Sequence, residues 1–197
     1  ADREVDGDIN NEVALRASRE SIVLLKNEDD LLPLDKDRIH TLAVIGPNAD
    51  EVSFAQTHYG PLATESVSVL KGLENAMDEK AKILYAKGCE LVDENWPDSE
   101  ILPAEPTKEE LRQMDEAVRL ARKADVVIAV LGGGQRTCGE NKSRTSLDLP
   151  GHQELLLKKL SATGKPVVLV LINGRPLSIN WADEHIPAIL EAWYPGS

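Results

Sequence analysis

The sequence is short of aromatic and sulfur-bearing residues. Only 4% of it is Phe, Trp or Tyr, and Cys89 and Cys138 are its two cysteines. Two thiols cannot build a disulfide framework, nor a four-ligand metal site by themselves, and they are read as unpaired. Positive charge is also scarce: 22 Lys and Arg stand against 34 Asp and Glu, a formal net charge of −12. Such a surface repels phosphate backbones and anionic lipid heads, which argues against nucleic-acid and membrane partners. Long hydrophobic runs are missing too. The longest, residues 126–131 and 167–172, have the length of strands and fall far short of the ~20 residues that span a bilayer.

What remains is enough aliphatic material for one large domain. With 197 residues and 42% hydrophobic content, the chain can bury roughly 70% of its unfolded surface. Residues 1–10 are polar and read as a linker, and Asn10 or Asn11 can cap a helix running to about Ser21. Residues 42–45 form a short β-branched run closed by Gly46-Pro47, which reads as a buried strand. Val69, Leu70, Leu73, Ala76 and Met77 recur at helical spacing within 66–77. A strand at 83–86 follows, then a proline-bearing stretch, 94–106, read as a long surface loop in which Asp93, Glu94 and Asp98 are solvated. Thr107 and Glu110 form a capping box that opens a helix. Strands at 126–131, 167–172 and 188–192 alternate with helices at about 151–160 and 177–182. Strands without alternation, separated by helices, predict an α/β fold: a doubly wound, mostly parallel sheet with helices on both faces and flavodoxin-like layering.

In such sheets ligands bind outside the carboxyl ends of the strands. Two polar loops fall there. The first, 132–148, reads GGGQRTCGENKSRTSLD and carries Glu140 among Arg136, Lys142 and Arg144; the second, 47–64, carries His58 and Tyr59 near its tip. Neither dinucleotide nor P-loop glycine spacing is present, no nucleophile elbow occurs, and the four histidines are too scattered for a His-built metal site.

Seven segments in order carry a resemblance: residues 14–34 (ALRASRESIVLLKNED, then LLPL), LAVIGPNAD at 42–50, 59–74 (YGP, then SVSVLKGLE), DVVIAVLGG at 125–133, GENKSRTSLDLPGHQ at 139–153, GKPVVLVLINGRPL at 164–177 and AILEAWYPGS at 188–197. The chain resembles the second, α/β-sandwich domain of glycoside hydrolase family 3, the β-glucosidase and β-xylosidase family. The resemblance implies that an N-terminal barrel of the same polypeptide supplies an aspartate nucleophile, and that the sandwich supplies the general acid/base glutamate. The pattern E-x-x-x-R followed by L-x-L-P-G-x-Q puts that glutamate at Glu140, with Arg144, Pro150, Gly151 and Gln153 matching. Many members carry Asp just before the arginine, where this chain has Ser143. His58, Tyr59 and Arg144 are expected at the substrate's edge.

The implied activity is retaining hydrolysis of terminal β-D-glucosyl or β-D-xylosyl residues, with no cofactor and no metal. The expected layout is residues 1–10 as a linker from the barrel and 11–197 as the sandwich, cut short at its C-terminal end. The expected compartment is periplasmic or secreted, and this chain alone is expected to be inactive. A non-catalytic module that binds sugar or packs against a partner domain is the alternative, and a flavodoxin-like nucleotide binder stands third.

Overall fold

The computed structural model describes residues 7–53, 66–78 and 80–194. Their order is α1 (Gly7–Ser21), β1 (Val23–Asn27), β2 (Thr41–Ile45), α2 (Val69–Met77), β3 (Lys82–Ala86), α3 (Lys108–Ala121), β4 (Val126–Gly132), α4 (Gln153–Ser161), β5 (Val167–Ile172), α5 (Asn180–His185) and β6 (Ala188–Glu191). The six strands form one sheet in the order β1-β6-β5-β4-β2-β3. All neighbours are parallel except β1, which runs antiparallel to β6 with Val23 opposite Glu191 and Asn27 opposite Ala188. The predicted doubly wound α/β architecture is therefore the observed one. Helix α1 starts at Gly7, inside the stretch read as linker, and the short helix expected at 177–182 lies at Asn180–His185 instead.

The central strands read as unbroken apolar runs because both their faces are covered. Every residue of β4 is buried. Val127, Ala129 and Leu131 turn to one core with Met114, Ala117 and Ala121 of α3 and Leu156, Leu157 and Leu160 of α4. Val126, Ile128 and Val130 turn to a second core with Leu70 and Met77 of α2. At the edge, Val23, Leu24 and Leu25 of β1 remain 42%, 52% and 51% exposed.

Caps set the helix starts. The Ser68 side chain accepts the Lys71 N–H at 3.1 Å to open α2. The predicted capping box opens α3: the Thr107 N–H donates to Glu110 Oε2 at 2.7 Å, and the Glu110 N–H donates to Thr107 Oγ1 at 3.2 Å. Two glycines close strands where no side chain has room. A Cβ on Gly46 (φ +141°) would lie 2.0 Å from the Val130 carbonyl oxygen, and one on Gly132 (φ +136°) 2.1 Å from that of Ile172.

Chain order makes the sheet reverse at one place. From β2 the chain moves outward to β3, then returns across β2 to β4 and continues to β5 and β6. The carboxyl ends of β2 and β4 thus flank a topological switch point, where open α/β sheets place their sites.

Candidate active site

At that switch point a cleft of about 430 Å³ opens between Pro47, Asn48 and Glu51 after β2 and Gly133, Gln135 and Arg136 after β4. Two bonds tie its walls: Asn48 Nδ2 donates to the Gly133 carbonyl at 2.7 Å, and Gln135 Nε2 donates to the Ser53 carbonyl at 2.7 Å. The loop leaving β4 then makes a tight turn around Thr137, which is 2% exposed. Its N–H donates to the Gly134 carbonyl and its Oγ1 accepts the Gly134 N–H, each at 3.0 Å. A Cβ on Gly133 would sit 2.8 Å from that Oγ1, so the glycine run serves close packing of the turn.

Glu140 stands beyond this turn, exposed, between two residues of positive φ: Gly139 at +130° and Asn141 at +59°. The loop after β5 braces the segment on both sides of it. Cys138 Sγ reaches the Gly174 carbonyl at 3.8 Å, and an Arg175 guanidinium N–H donates to the Lys142 carbonyl.

Arg144, four residues on, is committed inward. Its Nε donates to Glu100 Oε1 at 2.5 Å, and both side chains are 5% exposed. Its other end donates to the Asp148 carbonyl at 2.8 Å, and its guanidinium carbon lies 5.3 Å from the Trp96 ring centroid. Glu100 Oε2 also accepts the Thr145 N–H at 2.9 Å and the Thr145 hydroxyl at 3.2 Å. Burial pushes the Glu100 carboxyl up, but the Thr145 N–H and the Arg144 guanidinium outweigh it and hold the group below the usual carboxylate range.

The end of the motif is architectural. Gln153, fully buried at the start of α4, closes the carboxyl end of β4. Its Oε1 accepts the Gly132 N–H at 2.8 Å, and its Nε2 donates to the carbonyls of Gly132 and Leu91 at 2.9 and 2.8 Å. Beside it, His152 Nδ1 faces Glu110 Oε1 at 3.0 Å and Nε2 faces the Ala104 carbonyl at 2.9 Å. Acceptors at both ring nitrogens favour the protonated ring, in which each nitrogen donates. A cavity of about 210 Å³ lies between His152 and Arg144.

The sequence-predicted residues are thus distributed unevenly. Glu140 projects from the carboxyl rim, whereas Arg144 sits beneath it against Glu100. His58 and Tyr59 lie outside the described residues. Cys89 and Cys138 are both free, and burial pushes the Cys89 thiol up to about 12. Among the described residues no cluster of three or more His, Cys, Asp or Glu could hold a metal ion, and no helix is long and apolar enough to cross a membrane.

Of the three acids expected to be solvated, Glu94 and Asp98 are exposed, and Asp93 is corrected. Asp93 is 5% exposed, accepts the Asn95 N–H at 2.8 Å and the Ser99 hydroxyl at 2.7 Å, and steadies the turn that carries Glu100. Sequence reading missed Glu100. The available hint was an unpaired motif arginine: with Ser143 in the place of the usual acid, a carboxylate had to come from elsewhere.

Comparison with known proteins places these features. The family described as "Glycosyl hydrolase family 3 C-terminal domain" matches residues 22–197. A β-xylosidase of Formosa agariphila is 44% identical over 98% of this chain and 25% of its own length. A periplasmic β-glucosidase of Salmonella typhimurium is 42% identical over 100% of this chain and 26% of its own length. Among solved structures, a Bifidobacterium adolescentis β-glucosidase superposes with a TM-score of 0.80 at 33% identity, over 99% of this chain and 26% of that one. The chain therefore spans about a quarter of these relatives.

Proposed function

The chain belongs to glycosyl hydrolase family 3, as its C-terminal domain, and on that premise we propose that it supplies the general acid/base of a retaining β-glycosidase. The substrate class is a β-glycoside or oligosaccharide ending in a β-D-glucosyl or β-D-xylosyl residue, in keeping with the named relatives. A barrel domain of the same polypeptide provides the nucleophilic aspartate and most of the sugar contacts. The similarity to a periplasmic β-glucosidase favours a periplasmic or secreted setting.

The observation that carries this reading is Glu140 itself. It is an exposed carboxyl group at the carboxyl rim of the sheet, between two positive-φ residues and braced on both flanks. An exposed carboxylate on a loop braced on both flanks suits a site completed by another domain. In the first step Glu140 gives its proton to the glycosidic oxygen as the aglycone leaves and the aspartate forms the glycosyl-enzyme. In the second, the same carboxylate takes a proton from the water that releases the sugar with retained configuration. The two carboxyl groups then need to stand ~5–5.5 Å apart. Arg144 enters this reading as an anchor of the loop, because its bonds go to Glu100 and Asp148.

Glu140→Ala in the complete polypeptide tests the assignment. Hydrolysis of glycosides with poor leaving groups should slow by about 10²–10⁴-fold, while formation of the glycosyl-enzyme from an activated phenyl glycoside should change little. Azide should then accelerate turnover and yield a β-glycosyl azide, since an anion needs no general base. A uniform loss across leaving groups, with no response to azide, would assign Glu140 a structural role.

A further inference from the structure

We propose that Glu100 is a positioning residue for the acid/base carboxylate: held in the 94–106 segment, it pins Arg144 and Thr145 and so sets where Glu140 can reach. This rests on the acid/base assignment of Glu140 above.

The argument begins with tether lengths. A chain of n residues reaches at most ~3.3–3.6 Å × n. Thr137, buried and bonded within its turn, lies three residues before Glu140, and Arg144 lies four after it. With both ends fixed, the Glu140 Cα is confined to within ~11 Å of one anchor and ~14 Å of the other. Releasing the Arg144 end leaves the C-terminal side of Glu140 held by the Arg175–Lys142 contact alone. The first anchor is built from the loop's own residues, whereas the second depends on a carboxylate 44 residues away.

Glu100 is well made for this task. It accepts three hydrogen bonds from two adjacent residues of the loop, two of them from Thr145 and one from Arg144. Removing one partner of a buried ion pair leaves the other charge uncompensated, so the pair resists separation once formed. The arm carrying Glu100 is itself held at both ends, by Asp93 to Ser99 and by the Ala104 carbonyl to His152. The cation–π contact with Trp96 supports the guanidinium from a further side. Loss of the Glu100 charge would strand Arg144 at 5% exposure, and the loop would have to move to bring it to water.

The test uses Glu100→Gln in the complete polypeptide, beside Glu140→Ala. Glu100→Gln keeps the shape and an acceptor for Thr145 but loses the charge that holds Arg144. The expected result is a fall in kcat of roughly 10–100-fold on a glycoside with a poor leaving group, KM changing less than about threefold, and little change in glycosylation by an activated phenyl glycoside. That leaving-group signature is one a merely structural defect would not produce. Glu100→Asp, which keeps the charge and shortens the arm, is expected to show the same selectivity more weakly, and it carries the test if Glu100→Gln does not fold. A folded variant with full activity, or with an equal loss on every leaving group, overturns the positioning role. The parent reading fails separately: in that event Glu140→Ala itself lacks the leaving-group dependence.

Discussion

His152 and Glu110 show how one contact can be read as pH dependence. Burial works against the charged imidazole, but the Ala104 carbonyl and the Glu110 carboxylate outweigh it and raise His152 above its ordinary 6.5. Burial likewise pushes Glu110 up, while the Thr107 N–H and His152 bring it below its ordinary 4.5. The histidine's contribution is complete below 6.5 and is lost as pH rises through the elevated folded value. The glutamate's is complete above 4.5 and is lost as pH falls through the depressed one. Urea unfolding of the wild type and of His152→Gln should therefore show the widest gap in midpoint between those two ordinary values, narrowing towards pH 9. A gap that is constant from pH 5 to 9 would mean that the pair carries no charge. None of this is visible in the sequence, because His152 and Glu110 are 42 positions apart. The same distance problem hides Glu100. An acid in a proline-bearing acidic stretch reads as solvated until the fold delivers its arginine. Glu140 became a candidate only through the family resemblance, since spacing alone does not separate it from an ordinary surface glutamate.

Among the elements, the strand ends and helix caps carry the sharpest expectations. Gly132→Ala would place a methyl group 2.1 Å from the Ile172 carbonyl oxygen at φ +136°. Strain and overpacking together should cost roughly 3 kcal/mol or more, which at this size lowers Tm by roughly 6–12 °C in a calorimetric scan. Thr107→Ala removes one half of the α3 capping box and should cost about 1 kcal/mol in a urea titration. The capping box was readable because it is local: four residues define it. Strands β2, β4 and β5 were readable because burial on both faces leaves an uninterrupted apolar run. The direction of β1 was not. The apolar run beginning at Ile22 marks neither a strand nor its orientation, and pairing with β6 is settled some 165 residues later by Val23 opposite Glu191. The short helix after β5 was misplaced for a related reason: it has no side-chain cap, so nothing in the sequence marks its start.

For the whole molecule, the proposed division of labour has a direct consequence. The isolated chain should release no phenol from aryl β-glucosides or β-xylosides beyond the level of its Glu140→Ala variant, because the proposal puts the partner carboxylate in another domain. Turnover by the pure chain that disappears in that variant would contradict a shared site. The antiparallel edge strand bears on how the two halves meet. Since Val23 pairs with Glu191, β1 begins at the same rim where β4 and β5 end, and α1 arrives there too. A domain joined ahead of α1 would therefore connect to that rim through the 15 residues of this helix, a length of about 22 Å. A covalent tether, where it is short and flexible, sets a local concentration on the order of millimolar. Docking of the halves then becomes an intramolecular event, independent of how dilute the enzyme is. Such an arrangement allows the contact between them to be weak enough to part and re-form.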